Sequence, residues 1–366
     1  MKLPPFLLDQ WLAAHEFADP PIRFNLASST GPQWTLAELL ALGGNETRQE
    51  FEKLKLSYAP PQGNPRLRER IAALHGVTAD DVLVMTGASE ALISLTNYFM
   101  EPGASIVLPA PCYPAVPVLA KAWGLDVRTY AVHAPQTADA VLASVDASTR
   151  AVFVNTPHNP TGSVMSAAEQ RRLAEALDAR GVTLIVDEVY HPLYFGDPVP
   201  SASTLPNTVV IGDFAKALSL PGLRIGWLID RDAHRREALL DARSYFTISC
   251  SPITESLAAL ALDHAPQVLG GLQSVAKANL KLLDAFMREH SNYFDYRSPA
   301  GGTTCFPRLR DGRDARPLAA ALAKAGVLVA PGDCFGMPPH MRIGFGALRE
   351  GYDEALAIFG DVLRRF

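Results

Sequence analysis

The feature that most constrains the fold is a series of short aliphatic runs spaced along the middle of the chain. VLVM (82–85), ASIVLPA (104–110), AVFVNT (151–156), TLIVDE (183–188) and TVVIGD (208–213) each read as a strand. Their near-continuous Val, Ile and Leu content suits strands covered on both faces, as in a mostly parallel sheet flanked by helices. Segments of helical period lie between them. In SAAEQRRLAEALDAR (166–180) the Ser166–Glu169 spacing predicts a capping box at the helix start. Alternating strands and helices imply an α/β layered fold. After about residue 255 the pattern changes to a long helical stretch containing ANLKLLDAFMREH, then short strands and a final helix. The 366 residues therefore suggest a large domain over 46–255 and a smaller α+β domain built from 1–45 and 256–366. The Pro/Gly-rich SYAPPQGNP (57–65) is the clearest break in pattern.

Charge and cysteine usage narrow the function. A net charge of -5 spread along the chain gives no basic footprint for nucleic acid. Cys112, Cys250, Cys305 and Cys334 form no CxxC pair, which argues against a zinc site and fits reduced thiols in a cytoplasmic protein. No apolar run approaches membrane-spanning length, and MKLPPFLLDQW has no long apolar signal core, so no membrane partner is expected.

In open α/β sheets ligands sit beyond the carboxyl ends of the strands, and the unusual residues fall there. After VLVM comes TGASEALISL, a small-residue turn opening a helix; taken alone it reads as a plain strand-to-helix turn, the alternative being that the N–H groups of Gly87, Ala88 and Ser89 face an anion there. After AVFVNT comes PHNPTG, where Asn159 can donate to a ligand oxygen or simply build a turn. TLIV ends in Asp187-Glu188-Val189-Tyr190; Asp187 needs a cationic partner if buried, whereas Glu188 reads as a solvated loop charge. TVVIGDF leads to Lys216 among small apolar residues, with Arg224 following where a guanidinium can clamp a phosphate. A lysine at such a strand mouth either snorkels its charge to water or is held neutral for chemistry.

Taken in order, NTPHNPTG, VDEVY and FAKALSLPGLRIGW resemble the class I/II aminotransferases, the fold-type I enzymes that depend on pyridoxal phosphate. The resemblance runs from about Tyr58 to Arg342, with some likeness to a capreomycidine synthase-like subgroup. It implies the fold-type I transferase architecture and a pyridoxal 5'-phosphate cofactor carried by Lys216 as a Schiff base. It further implies that Asp187 pairs with the ring nitrogen, Asn159 and Tyr190 with the ring oxygen, and that Tyr113 stacks on the ring face. Ala88, Ser89 and Arg224 would hold the phosphate, joined by Tyr58 from the neighbouring subunit of a homodimer. Arg342, with Asn159 beside it, would bind the substrate α-carboxylate. The activity implied is transfer of an amino group between an L-amino acid and a 2-oxo acid.

The sequence departs from the family at two places. Asp213 stands where a Ser or Thr usually meets the phosphate, and is expected to pair with Arg224 or turn aside. Ser28, Ser29 and Thr30 offer hydroxyls either to a polar substrate side chain or to an ordinary turn. His158 reads as structural and Arg243 as a surface helix charge, with a substrate-facing cation the alternative. Elimination or side-chain cyclisation on the same scaffold competes with transamination. A non-catalytic ligand-binding domain lacks a basic extension, and a nicotinamide dehydrogenase lacks a GxGxxG after a first strand.

Overall fold

In a computed structural model the chain is described over residues 3–132 and 135–366. Met1 and Lys2, at the head of MKLPPFLLDQW and of the expected smaller domain, lie outside that range, as do His133 and Ala134. Among the described residues, seven strands make the central sheet: β1 (Val82–Met85), β2 (Ser105–Ala110), β3 (Asp126–Ala131), β4 (Thr149–Asn155), β5 (Thr183–Asp187), β6 (Thr208–Asp213) and β7 (Gly226–Asp230). Their order across the sheet is β1-β7-β6-β5-β4-β2-β3, with β7 antiparallel to both its neighbours and the other pairs parallel. The mostly parallel α/β architecture expected from the aliphatic runs is the one observed.

Alternation along the strands explains why both faces are apolar. Val84, Val152, Val154, Val186 and Val210 belong to one buried cluster, and Leu83, Met85, Phe153, Ile185 and Ile211 to the cluster on the opposite face. Each fully buried aliphatic side chain contributes roughly 1.5–3 kcal/mol relative to exposure. A further core gathers Phe24 and Leu26 with Leu283, Phe294, Ile343 and Phe359. The parallel pairing of Phe24–Asn25 with Val327–Leu328 brings these distant segments together.

Register lines up the strand ends. Asn155 pairs with Asp187, Asp187 with Ile211, and Asp213 with Gly226, which also pairs with Met85. The carboxyl ends of β1, β4, β5 and β6 thus meet the start of β7 along one edge.

Three local readings change. Ser166 does cap the helix Ala167–Asp178, accepting from the Glu169 N–H at 3.3 Å. Glu169 does not complete a capping box, because its carboxylate accepts from the Ala138 N–H at 2.6 Å and from Arg172 at 2.9 Å. Glu188 is buried rather than solvated, accepting from Ser201 Oγ and the Ala202 N–H, both at 2.7 Å. Arg243 is not a surface charge. It is 1% exposed, and its guanidinium meets Glu90 at 3.1 Å and the carbonyls of Pro61 and Val84 at 2.6 and 2.7 Å.

Candidate active site

The helix Gly87–Tyr98 begins directly after β1, and its N-cap Thr86 makes no side-chain capping bond. The first N–H groups of the helix are therefore left to an anion. Gly87 has φ +73, and a Cβ there would lie 2.6 Å from Arg224 Nη2. The absence of that Cβ lets the guanidinium approach the turn. Glu90, which accepts from the Thr86 N–H and from Thr247 Oγ1 and pairs with Arg243, ties this turn to the body of the protein.

One cavity of about 200 Å³ collects the strand-end residues. Ala88 and Ser89 line it from the helix start, Tyr113 from the segment after β2, and Asn159 from the turn after β4. Asp187 ends β5 and Tyr190 follows it, while Lys216 and Arg224 lie between β6 and β7. Arg342 enters from the strand Met341–Gly344. Nine of the ten residues singled out by sequence meet here. Tyr58 does not: it is 81% exposed on a loop outside the cavity. A larger, open cavity of about 550 Å³ includes Thr161, Tyr296 and Phe306 but neither Lys216 nor the ends of the strands.

Burial sets the chemistry. Lys216 Nζ donates to Ser29 Oγ at 2.9 Å. Its pKa is lowered by burial first, with Asp213 and Asp187 acting in the opposite sense and Arg342 reinforcing the fall. A lysine in that setting supplies a free amine more readily than an exposed one. Asp187 is pushed up to about 7 by burial, against the pull of the Val189 N–H, which donates to its Oδ1 at 3.1 Å. A buried carboxyl of this kind calls for a cationic N–H partner. Burial also raises the Tyr190 hydroxyl to about 12; Ser29 and Thr303 are its neighbours, and it makes no well-formed hydrogen bond among the described residues.

Arg342 is 2% exposed, donating from Nη1 to Asn159 Oδ1 at 3.1 Å and from Nη2 to the Ala27 carbonyl at 2.8 Å. Its Nε has no partner among the described residues. With five N–H donors on a guanidinium, the fork keeps protons for an incoming carboxylate.

The departures resolve individually. Asp213 does neither of the things expected: it forms no ion pair with Arg224 and does not turn away from the helix start, its carboxylate accepting from the Ala215 N–H at 2.5 Å and facing the Ala88 N–H inside the cavity. Ser28 and Thr30 bond one another at 2.9 Å, so they serve the local turn, whereas Ser29 meets the lysine. His158 is structural, held by Thr161 Oγ1 at 2.8 Å and the Pro111 carbonyl at 3.0 Å, and burial lowers it to about 4. Sequence reasoning missed Asn155, whose Nδ2 donates to the Asp187 carbonyl at 3.0 Å and whose Oδ1 accepts from the Asn159 N–H at 2.6 Å. An amide at the carboxyl end of a buried strand was the available signal. Asp9, from the helix Leu7–Glu16, also reaches the cavity, and nothing in its local sequence marks it.

Comparison with known proteins agrees with this geometry. The family profile described as aminotransferase class I and II matches residues 31–359. Capreomycidine synthase of Streptomyces vinaceus is 31% identical, over 99% of this chain and 94% of its own length. The pyridoxal-phosphate-dependent cyclase OrfR superposes with a TM-score of 0.92 at 27% identity, covering 100% of this chain and 98% of its own. A pyridoxal-phosphate-dependent aminotransferase from Streptococcus suis also gives 0.92 at 27% identity, covering 100% and 99%.

The residues present fit pyridoxal phosphate. The cradle at Gly87 admits no Cβ beside Arg224, the Tyr190 hydroxyl lacks a well-formed partner, and a buried amine faces a buried carboxyl. The chain belongs to the class I and II aminotransferases, and its cofactor is pyridoxal phosphate.

Proposed function

We propose that the protein moves an amino group between an L-amino acid and a 2-oxo acid, with the cofactor attached through Lys216. The observation that carries this reading is the buried Lys216 amine, in one cavity with Asp187 and the partly unsatisfied Arg342 fork. Bound pyridoxal phosphate supplies an electron sink for the bonds at the substrate Cα. Asp187 would hold the ring nitrogen protonated, Asn159 and Tyr190 would fix the ring oxygen, and Tyr113 would cover the ring face. Ala88, Ser89 and Arg224 would hold the phosphate. Arg342 would orient the substrate by its α-carboxylate, and the Lys216 amine would carry the proton leaving Cα. Buried walls around these groups keep water from competing for that proton.

The same residues serve β-elimination or side-chain cyclisation, and the likeness to capreomycidine synthase and to the cyclase OrfR supports that second reading. Half-reaction spectroscopy distinguishes the two. Transamination predicts that an amino-acid substrate converts the cofactor absorbance to the amine form, with release of a 2-oxo acid and recovery on adding another 2-oxo acid. A cyclised or eliminated product with the cofactor returned unchanged would overturn it.

We read residues 46–255 as the cofactor-bearing domain and 1–45 with 256–366 as the smaller one. The exposed Tyr58 supports a homodimer in which each loop completes its neighbour's phosphate site. Four free cysteines and the mild net charge support a cytoplasmic setting. Among the described residues, no helix is long and apolar enough to cross a membrane.

A further inference from the structure

Asp213 poses a physical problem. Its carboxylate ends β6, is 7% exposed, and lines the cavity with Ala88, Ser89 and Arg224. It accepts from the Ala215 N–H and faces the Ala88 N–H, at a helix start that Thr86 leaves uncapped. Arg224 meanwhile donates to the Pro221 carbonyl at 3.2 Å and does not neutralise it. An aspartate therefore sits against the donors that a phosphate needs. A carboxylate and a phosphate dianion repel one another unless a proton or a cation intervenes.

On the reading of this site given above, we propose that Asp213 is an internal occupant of the phosphate cradle. Loading of the phosphate-bearing cofactor is then coupled to uptake of one proton from solvent. The Asp213 carboxyl, once neutral, donates its O–H to a phosphate oxygen instead of repelling it. In this step the carboxylate gains an O–H bond to a proton released by a hydronium ion or a protonated buffer molecule, and no bond between heavy atoms changes.

The surroundings are compatible with such a switch. Lys216 on the following segment and Arg224 before β7 favour the ionised carboxylate. Asp187 on β5 and Tyr113 after β2 also face it, and negative charge on either opposes its ionisation. Burial already raises its pKa before any phosphate arrives. A dianion brought to the same amides shifts the balance further towards the neutral acid.

The test measures dissociation constants of pyridoxal phosphate against pH, by fluorescence and calorimetry, for the wild-type holoprotein and for Asp213→Ser and the near-isosteric Asp213→Asn. The wild type should weaken with rising pH more steeply than either variant, by up to about tenfold per pH unit. Calorimetry in buffers of different ionisation enthalpy should count about one more proton taken up by the wild type. Pyridoxal, which has no phosphate, should show no extra proton uptake in the wild type, any shift of its pH profile in the variants reporting the effect of Asp213 on Lys216 alone, and inorganic phosphate should compete better in the variants. Equal slopes and equal proton counts would overturn the proposal, as would weaker binding in both variants at every pH. Failure of the wild type to bind pyridoxal phosphate at all would instead overturn the reading of the site on which it rests.

Discussion

The strand-end cavity and the Tyr58 loop are built to opposite rules. In the cavity, Asp187 and Arg342 sit on strands whose register fixes them, and the side chains of Lys216 and Arg342 reach Ser29 and Ala27, far away in sequence. On the loop, Tyr58 is 81% exposed; nearby Tyr245 is 90% exposed, and Ile248 stands at φ 64, unusual for a β-branched residue. Buried Arg243 ties the two segments together through the Pro61 carbonyl, so this exposed surface is anchored rather than loose. One chain thus assembles its chemistry internally but leaves an aromatic surface without cover, as expected if a second copy supplies it.

The largest expected effect tests the internal half. Lys216→Ala should lose at least about 10³-fold in turnover, since both cofactor attachment and proton movement depend on that amine. Borohydride reduction and peptide mapping of the wild type should place the adduct on Lys216. An adduct on Lys277 or Lys281 would remove this lysine from its role.

Asp187→Asn is expected next, at about 10²-fold or more in turnover with cofactor still bound. The same variant carries a stability signature in the apoprotein. Asp187 is raised from 3.8 to about 7, so the folded state binds the extra proton and this contribution is complete below about pH 4. It is lost as pH rises through 7. Wild-type apoprotein should therefore lose more stability than Asp187→Asn between pH 5 and 8, by an amount on the order of a few kcal/mol. Parallel melting curves for the two would show that Asp187 is not held in its acid form.

Tyr58→Phe addresses the external half. Loss of one hydrogen bond to a charged group should weaken cofactor retention by about 1.5–3 kcal/mol. Sedimentation should show a species near twice the 39.5 kDa chain. A 39.5 kDa species with full cofactor retention would make Tyr58 an ordinary surface residue.

How much was legible follows from the same contrast. Strands made of unbroken Val, Ile and Leu announce themselves, but two of the seven do not: β3, DVRTYA at the sheet edge, is half polar, and β7, GWLID, is buried yet short and runs on directly from the LPGLRI turn. Motifs at the strand ends marked Asn159, Asp187, Lys216 and Arg224, because each lies at or just past the end of a strand or, for Arg224, just before the start of β7. Ser29 could not be matched to Lys216, since that contact spans 187 positions and depends on how the N-terminal segment crosses the site. Arg243 and Glu188 looked like solvent charges because no local pattern encodes partners such as Glu90, Val84 or Ala202.

The antiparallel β7 has one further consequence. Because it returns directly beside β6, Lys216 and Arg224 share a connection of only twelve residues between the two strands. Their spacing is therefore a local property, settled without any long loop having to close. Two residues in that connection, Ser219 at φ 58 and Arg224 at φ 50, already occupy the left-handed region. The segment has little slack for an added or deleted residue. Circular permutants opened in the exposed stretch at 196–198 should keep the pair intact, whereas an insertion between 217 and 223 should separate amine from guanidinium while leaving the sheet itself able to form.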